Sequence, residues 1–311
     1  MRLRSANFTR SLFIVFPLLA IGVWMWPRIS SPLNPAAQAS PGTAWEALRP
    51  AGVPDASWRH DALWDDGLAE YSAYEAKWYR YGRLNQGRVL LVAVKEPWRP
   101  DLEVKADRES DAKFDVIKLN HQRSVQTGIY RYEQVASVFM RRQQGQLQKL
   151  STASAEGCGL STAHMTKGLL ELRSYFDGQA ERRMPWPAAA IPEDGLALFL
   201  RDYVKGVLPE SIKVFPSTLH GRFLPAEPLT LSMQRSQPKD VVVPAGRFRI
   251  VELTLGKDNP DRFSFEIKAP HRLIEMTLAD GTNYRLAKSE RIAYWERHDA
   301  GDESWWPQSL R

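Results

Sequence analysis

From Leu68 onward the chain is written in a two-residue period, in short runs broken by turn signals, and this pattern limits the fold more than any other feature. "LAEYSAYEAKWYRYG" alternates and is heavy in tyrosine, "RVLLVAVK" is dense enough to be buried, and "KFDVIKL" and "GIYRYEQVASVFMRR" continue the series. "RLNQG" and "QQGQ" read as turns between strands, and Asp177-Gly178 and Asp280-Gly281 as tight hairpins. The last third repeats the pattern in "LTLSMQRS", "VVVPAGRFRIVELTLG", "RFSFEIKAP", "HRLIEMTLAD" and "GTNYRLAKSERIAYW". Consecutive strands joined by short turns pair antiparallel. With no strand-helix-strand alternation, a parallel sheet is not expected. The expected fold is mainly β: antiparallel sheets in a sandwich or an incomplete barrel, with one inserted helix. That helix is "PEDGLALFLRDYVKG", where Leu196, Phe199, Leu200 and Tyr203 fall at i, i+3, i+4 and i+7. It divides the β body, 61–300, into two potential halves near 190–206; residues 301–311 read as a tail.

The N-terminus has a different grammar. Arg2, Arg4 and Arg10 precede an apolar run from Leu12 to Trp26 with no acid among them. A basic segment followed by an apolar stretch is an export signal. Residues 1–27 therefore read as a signal peptide or a transmembrane anchor helix. Cleavage has a small-x-small site at Ala37-Gln38-Ala39. Retention has Trp24 and Trp26 at the end of the run, where interfacial aromatics sit. Both readings place the body in the periplasm, anchored in the inner membrane or released after cleavage. Residues 28–60, rich in Pro, Ala, Gly and Ser, read as a linker.

The formal net charge of +6 is largely a property of this leader. Four of the positive charges are Arg2, Arg4, Arg10 and Arg28, and no acid precedes Glu46. The body is near neutral and lacks a basic stripe, so no nucleic-acid partner is expected. One cysteine, Cys158, cannot close an intramolecular disulfide, so the body relies on its core.

"LAEYSAYEAKWYRYG", "KLNHQRSVQTGIYRYEQVASVF", Cys158-Gly159, "VVVPAGRFR" and "PHRLIEMTLADGTNYRLAKSERIAYW" together resemble a family of uncharacterised bacterial envelope β-proteins. Some members carry the label "septum formation inhibitor Maf". The chain has neither the Ser-x-Arg-Arg motif nor the α/β pattern of the Maf pyrophosphatases. The resemblance, over about Gly67 to Trp295, implies a fold and a compartment and no reaction.

Candidate sites are few. Lys118, Asn120 and Arg123 lie in "VIKLNHQRSVQTG", and loops held by a rigid sheet are where binding residues concentrate. Lys and Arg suit an anionic headgroup or a carboxylate. These three are the expected ligand-binding residues, facing a common cleft. The alternative is chemistry by Cys158 with His164 as base in an envelope hydrolase or transferase, since a thiolate nucleophile needs a partner to lower its pKa. A lone cysteine is more often a buried small hydrophobe. The six histidines show no ligand spacing and no CxxC is present, so no metal and no cofactor are expected. Lacking a catalytic motif, the chain reads as a non-enzymatic envelope protein that binds a lipid, a glycan or a protein partner.

Overall fold

Two-residue turns with left-handed backbone set the register of the first arm. In the computed structural model, which describes residues 54–177, 181–222 and 226–305, strand β1 (Ala69–Arg80) is joined to β2 (Arg83–Arg99) by Tyr81 and Gly82, both at positive φ. Such turns match the twist of a hairpin. The same device, Lys167 and Gly168, joins β7 (Gly159–Thr166) to β8 (Leu169–Arg173). "RLNQG", expected as a turn, instead lies within β2. The reversal comes immediately before it, where Gly82 carries the positive φ, and Gly87 remains extended against Val125. Between these hairpins run β3 (Val104–Lys105), β4 (Phe114–Thr127), β5 (Tyr130–Arg141) and β6 (Leu147–Glu156). β9 (Arg182–Pro185) ends the first arm, and the second holds β10 (Ala190–Pro192), β11 (Ser211–Phe215), β12 (Leu229–Arg235) and β13 (Lys239–Val243). It ends with β14 (Gly246–Leu255), β15 (Asp261–Glu266), β16 (Leu273–Thr277) and β17 (Asn283–Ile292).

These strands form one large, mostly antiparallel open sheet rather than two stacked sheets. Its central seam is β1, which pairs with β2 on one side and with β17 on the other. One arm continues from β2 through β4, β5, β6, β7 and β8 to β9. The other runs from β17 through β16 and β15 to β14, where β12 and β13 follow one another along the strand. β12 carries on to β11 and β10. β10 and β11 are parallel, a pair the sequence pattern did not anticipate.

One face of this sheet is the core. Ile117 and Leu119 of β4, Val138 of β5, Leu150 of β6 and Met165 of β7 share a single apolar cluster with Leu253, Phe263 and Ile274 from the other arm. The inserted helix lies within that cluster. It is α1 (Leu196–Phe199) between 3₁₀ turns at Glu193–Gly195 and Leu200–Tyr203, so the helix expected here is shorter and tighter than its 3.6-residue pattern implies. Leu196, Leu198, Phe199, Leu200 and Tyr203 are all buried. A segment surrounded by apolar side chains has no solvent face to enforce an α period, and 3₁₀ turns serve as its ends. The opposite face carries a second cluster, Tyr71, Leu90, Val92 and Ile292, with Tyr294 and Trp305 packed on it.

Both ends of the body extend beyond the sequence-based boundaries. Residues 54–60, placed by composition in the linker, are held in the body: the Asp55 N–H donates to the Asp202 carbonyl, and Trp58 and Arg59 are buried. Trp305, placed in the tail, accepts a hydrogen bond at its carbonyl from the Tyr71 hydroxyl. The apolar run Leu12–Trp26, the cleavage site and most of the linker lie outside the described residues. Asp177-Gly178 falls partly outside them. Among the described residues no helix is long and apolar enough to cross a membrane.

Candidate functional site

The strand period separates the three expected ligand residues. Along β4, Ile117 and Leu119 point into the core, and the same parity carries His121 and Arg123 inward. Lys118 and Asn120 point to the opposite face. There the Lys118 ammonium pairs with Glu96 at 2.5 Å, and Asn120 Oδ1 accepts from the Ser137 hydroxyl at 2.7 Å. The common cleft expected for Lys118, Asn120 and Arg123 therefore does not form, because an odd step along a strand changes faces. Cys158 and His164 are not brought together either. Cys158 sits exposed at the tip of the β6–β7 hairpin, not buried as a small hydrophobe. His164 lies six residues along β7, about 20 Å away at the usual strand rise, with Nδ1 2.9 Å from the Ser151 hydroxyl.

Arg123 leads to an interior site. Its guanidinium stacks 4.6 Å from the Trp78 ring centroid, and its Nε donates to Gln134 Oε1 at 2.6 Å. Gln134 is fixed in turn by donating to the Ser154 hydroxyl at 2.7 Å and to the Leu219 carbonyl. Arg123 is 6% exposed, yet its Nη2 has no hydrogen-bond partner. A buried donor left in this state costs about 1–3 kcal/mol, more when charged. Arg123 lines a cavity of about 90 Å³ together with His121, Glu193, Asp194, His220 and Tyr284.

The opening of the inserted helix supplies two carboxylates. Pro192 ends β10, and the next two residues enter the 3₁₀ turn with Glu193 and Asp194 facing the segment after β11. Asp194 accepts from the Ser217 hydroxyl at 2.5 Å and from both the Thr218 N–H and hydroxyl, at 2.9 and 3.0 Å. Burial pushes its pKa up, against those donors. Glu193 accepts one backbone donor, Ser217 N–H at 3.0 Å. Burial, and then the neighbouring Asp194 charge, push Glu193 up to about 7. His121 lies 3.2 Å from the Tyr284 hydroxyl, and burial followed by the Arg123 charge lowers it to about 3. The same two causes lower His220 to about 4. Near neutral pH the site thus holds a fixed cation, two uncharged imidazoles and a carboxyl close to half ionisation.

These groups give stability a defined pH dependence. Unfolded Glu193 titrates near 4.5 and the folded group near 7, so the folded state retains its proton longer as pH rises and loses stability between those values. The histidines act in the opposite sense. Below 6.5 the unfolded chain takes up protons that His121 and His220 refuse until about 3 and about 4, so stability falls with acid. Between 4.5 and 6.5 the trends oppose one another, and the two histidines outweigh the one carboxyl. From these groups, denaturant unfolding measured from pH 4 to 8 should show stability rising to about pH 6.5 and declining from there to about 7. Glu193→Gln should remove the decline toward pH 7 and leave the acid limb in place, whereas His121→Asn should make the acid limb shallower. An unchanged profile in both variants refutes the assignment.

Parity counting from Ile117 places Arg123 and His121 inside, so that part of the site is legible in the sequence. Glu193 and Asp194 read there only as acids opening a helix. Nothing in the one-dimensional pattern places His220 or Tyr284 beside them. Among the described residues no group of three or more His, Cys, Asp or Glu could hold a metal ion.

No protein-family model and no curated protein matches the chain. Among solved structures, a β-barrel-like protein of a domain of unknown function, DUF1849, from Brucella abortus is similar over 73% of this chain and 98% of its own, with 10% sequence identity and a TM-score of 0.44. A putative lipoprotein from Parabacteroides distasonis is similar over 72% of this chain and 95% of its own, with 11% identity and a TM-score of 0.23.

Proposed function

We propose that this chain is an exported envelope protein, an incomplete β-barrel that binds without catalysis the acid end of a lipid or glycan in the cavity at Arg123. The observation that carries this reading is the buried Arg123 Nη2, held by Trp78 and Gln134 with no acceptor of its own. A guanidinium fixed at two of its edges is pre-organised for a carboxylate or phosphate oxygen at the third. The volume selects the size. About 90 Å³ corresponds to roughly three water molecules, enough for an acid group. Drug-sized ligands need about 300 Å³ or more, so the remainder of the molecule stays outside. The basic, apolar Met1–Trp26 segment supports the compartment. Cys158 and His164, separated along β7, give hydrolysis no support.

Glu193 adds a pH signature. Its proton, when present, offers a donor to the bound acid; its charge, when the proton leaves, repels it. Native mass spectrometry of the detergent-extracted full-length protein should show a retained acidic ligand, and Arg123→Gln should lose it. Loss of one charge-assisted hydrogen bond, about 1.5–3 kcal/mol, corresponds to at least a tenfold fall in affinity. Binding to the wild type should weaken as pH rises through about 7, and Glu193→Gln should bind independently of pH in that range. A wild-type mass that equals the bare chain, or retention unaffected by Arg123→Gln, overturns the proposal.

A further inference from the structure

The hairpins of the first arm alternate between the two ends of the sheet, and the two ends differ in chemistry. One end carries the β1–β2, β4–β5 and β6–β7 tips and the exit of β8. Each presents an exposed apolar or aromatic side chain: Tyr81 and Leu84, then Ile129, then Leu160, then Tyr175. Ile129 is 92% exposed, an extreme for isoleucine, and the two neighbouring tips and the exit of β8 carry exposed apolar or aromatic side chains as well. The other end carries the β2–β4 connection and the β5–β6 turn. It displays Asp101, Asp107, Arg108, Glu109, Gln143 and Gln144, with Leu102 and Val104 its exposed apolar side chains.

The aromatic rings at the first end are seated, not dangling. A Cβ on Gly157 would come within 2.5 Å of the Tyr130 ring, and one on Gly159 within 2.5 Å of the Tyr175 ring. Both glycines therefore leave room for rings laid flat across the β6–β7 tip. Exposed cations flank the row, Arg83 on β2 and Arg222, whose guanidinium lies 4.3 Å from the Phe176 ring, and the exposed acid Asp177 follows Tyr175 and Phe176 in the chain.

We propose that this rim dips into the headgroup layer of an anionic lipid bilayer. Shape decides between a membrane and a protein partner. Adjacent strands lie about 4.8 Å apart, so successive hairpin tips present single side chains at roughly 10 Å intervals. A comb of separated projections offers little of the continuous area a stable protein interface needs, about 800 Å² per partner, but suits a soft medium. Tyrosine beside arginine is the pairing that interfacial depth favours. The inference stands apart from the acid-binding reading, although Trp78 and Arg123 lie below the same rim.

Cys158, the sole cysteine, is exposed at the β6–β7 tip and takes a fluorescent label there. The full-length protein is reconstituted into vesicles of phosphatidylethanolamine with a minority of phosphatidylglycerol, some lipids carrying nitroxide quenchers at headgroup depth. The label on Cys158 should lose most of its emission. The same label on Cys158→Ser/Gln144→Cys, at the opposite end, should keep it. Ile129→Asp with Leu160→Asp, both exposed positions, should restore most of the Cys158 emission; Ile129→Asp alone serves if the pair disturbs the circular dichroism. Equal quenching at both ends, no quenching at either, or quenching that survives both substitutions overturns the proposal. So does protection of Cys158 from an aqueous quencher without quenching by the lipids, which would mean that a protein or a second copy covers the rim.

Discussion

Arg201→Met should destabilise the protein by about 3–5 kcal/mol, the range for breaking a buried ion pair from one side. Arg201 and Glu70 are both almost fully buried and meet through two parallel contacts, Nη2 to Oε1 at 2.7 Å and Nη1 to Oε2 at 3.0 Å. Arg201 also donates from Nε to the Ala197 carbonyl at 3.1 Å and from Nη1 to the Pro270 carbonyl at 3.2 Å. It therefore ties the inserted helix to β1 and to the loop before β16. Removing the guanidinium leaves a carboxylate in the interior with nothing to offset its desolvation. The double variant Glu70→Leu/Arg201→Met should recover much of the loss, since an apolar pair of similar volume avoids that cost. Urea unfolding of the two singles and the double closes the cycle. A single-variant loss below about 1 kcal/mol, the level of an exposed pair, sinks the claim.

Trp58→Ala should cost about 3–5 kcal/mol, the range for truncating a large buried aromatic, although the residue lies where composition suggests a linker. Trp58 is fully buried, with its ring edge-on to Trp64 at 6.0 Å between centroids. Its Nε1 donates to Asp202 Oδ1 at 2.8 Å, and its carbonyl accepts from Trp64 Nε1 at the same distance. Arg59 reaches Asp202 at 3.2 Å, so two consecutive residues converge on one buried acid. Trp58→Phe separates the contributions: it keeps most of the packing and loses the indole donor. It should cost about 1–3 kcal/mol, as for a buried acceptor left short of a partner. Exposed Ser57→Ala should stay within about 0.5 kcal/mol. Equal effects at 57 and 58 would falsify the claim that Trp58 is part of the packed body.

Local signals made part of this fold legible, and the exceptions share a cause. Antiparallel hairpins follow from alternation and from turn glycines such as Gly281, and the sequence places them correctly at Asp280-Gly281. "RLNQG" misled because its glycine sits inside a strand opposite Val125, a choice that cross-strand packing makes and turn chemistry does not. The helix is visible through Leu196, Phe199, Leu200 and Tyr203. Its tightening into 3₁₀ turns is imposed by surroundings that no window along the chain contains. The parallel β10–β11 pair is too short for periodicity to register. The same contrast holds in the candidate site. Arg123 and His121 follow from counting in twos along β4. Grouping Lys118, Asn120 and Arg123 by chemistry ignored that count. The meeting of Arg123 with Glu193, Asp194 and His220 is a tertiary event between distant segments.

The position of β1 has a consequence for how the molecule is made. One side of β1 is occupied by β2, its immediate successor; the other waits for β17, the last strand among the described residues. Chains emerge N-terminus first, at about 5–20 residues per second, so that open edge persists for most of biogenesis. An unpaired edge is a template for the wrong partner. Until β17 arrives, "AEYSAYEAKWYR" carries a row of unpaired backbone N–H and C=O groups along one side, with β2 fixed on the other.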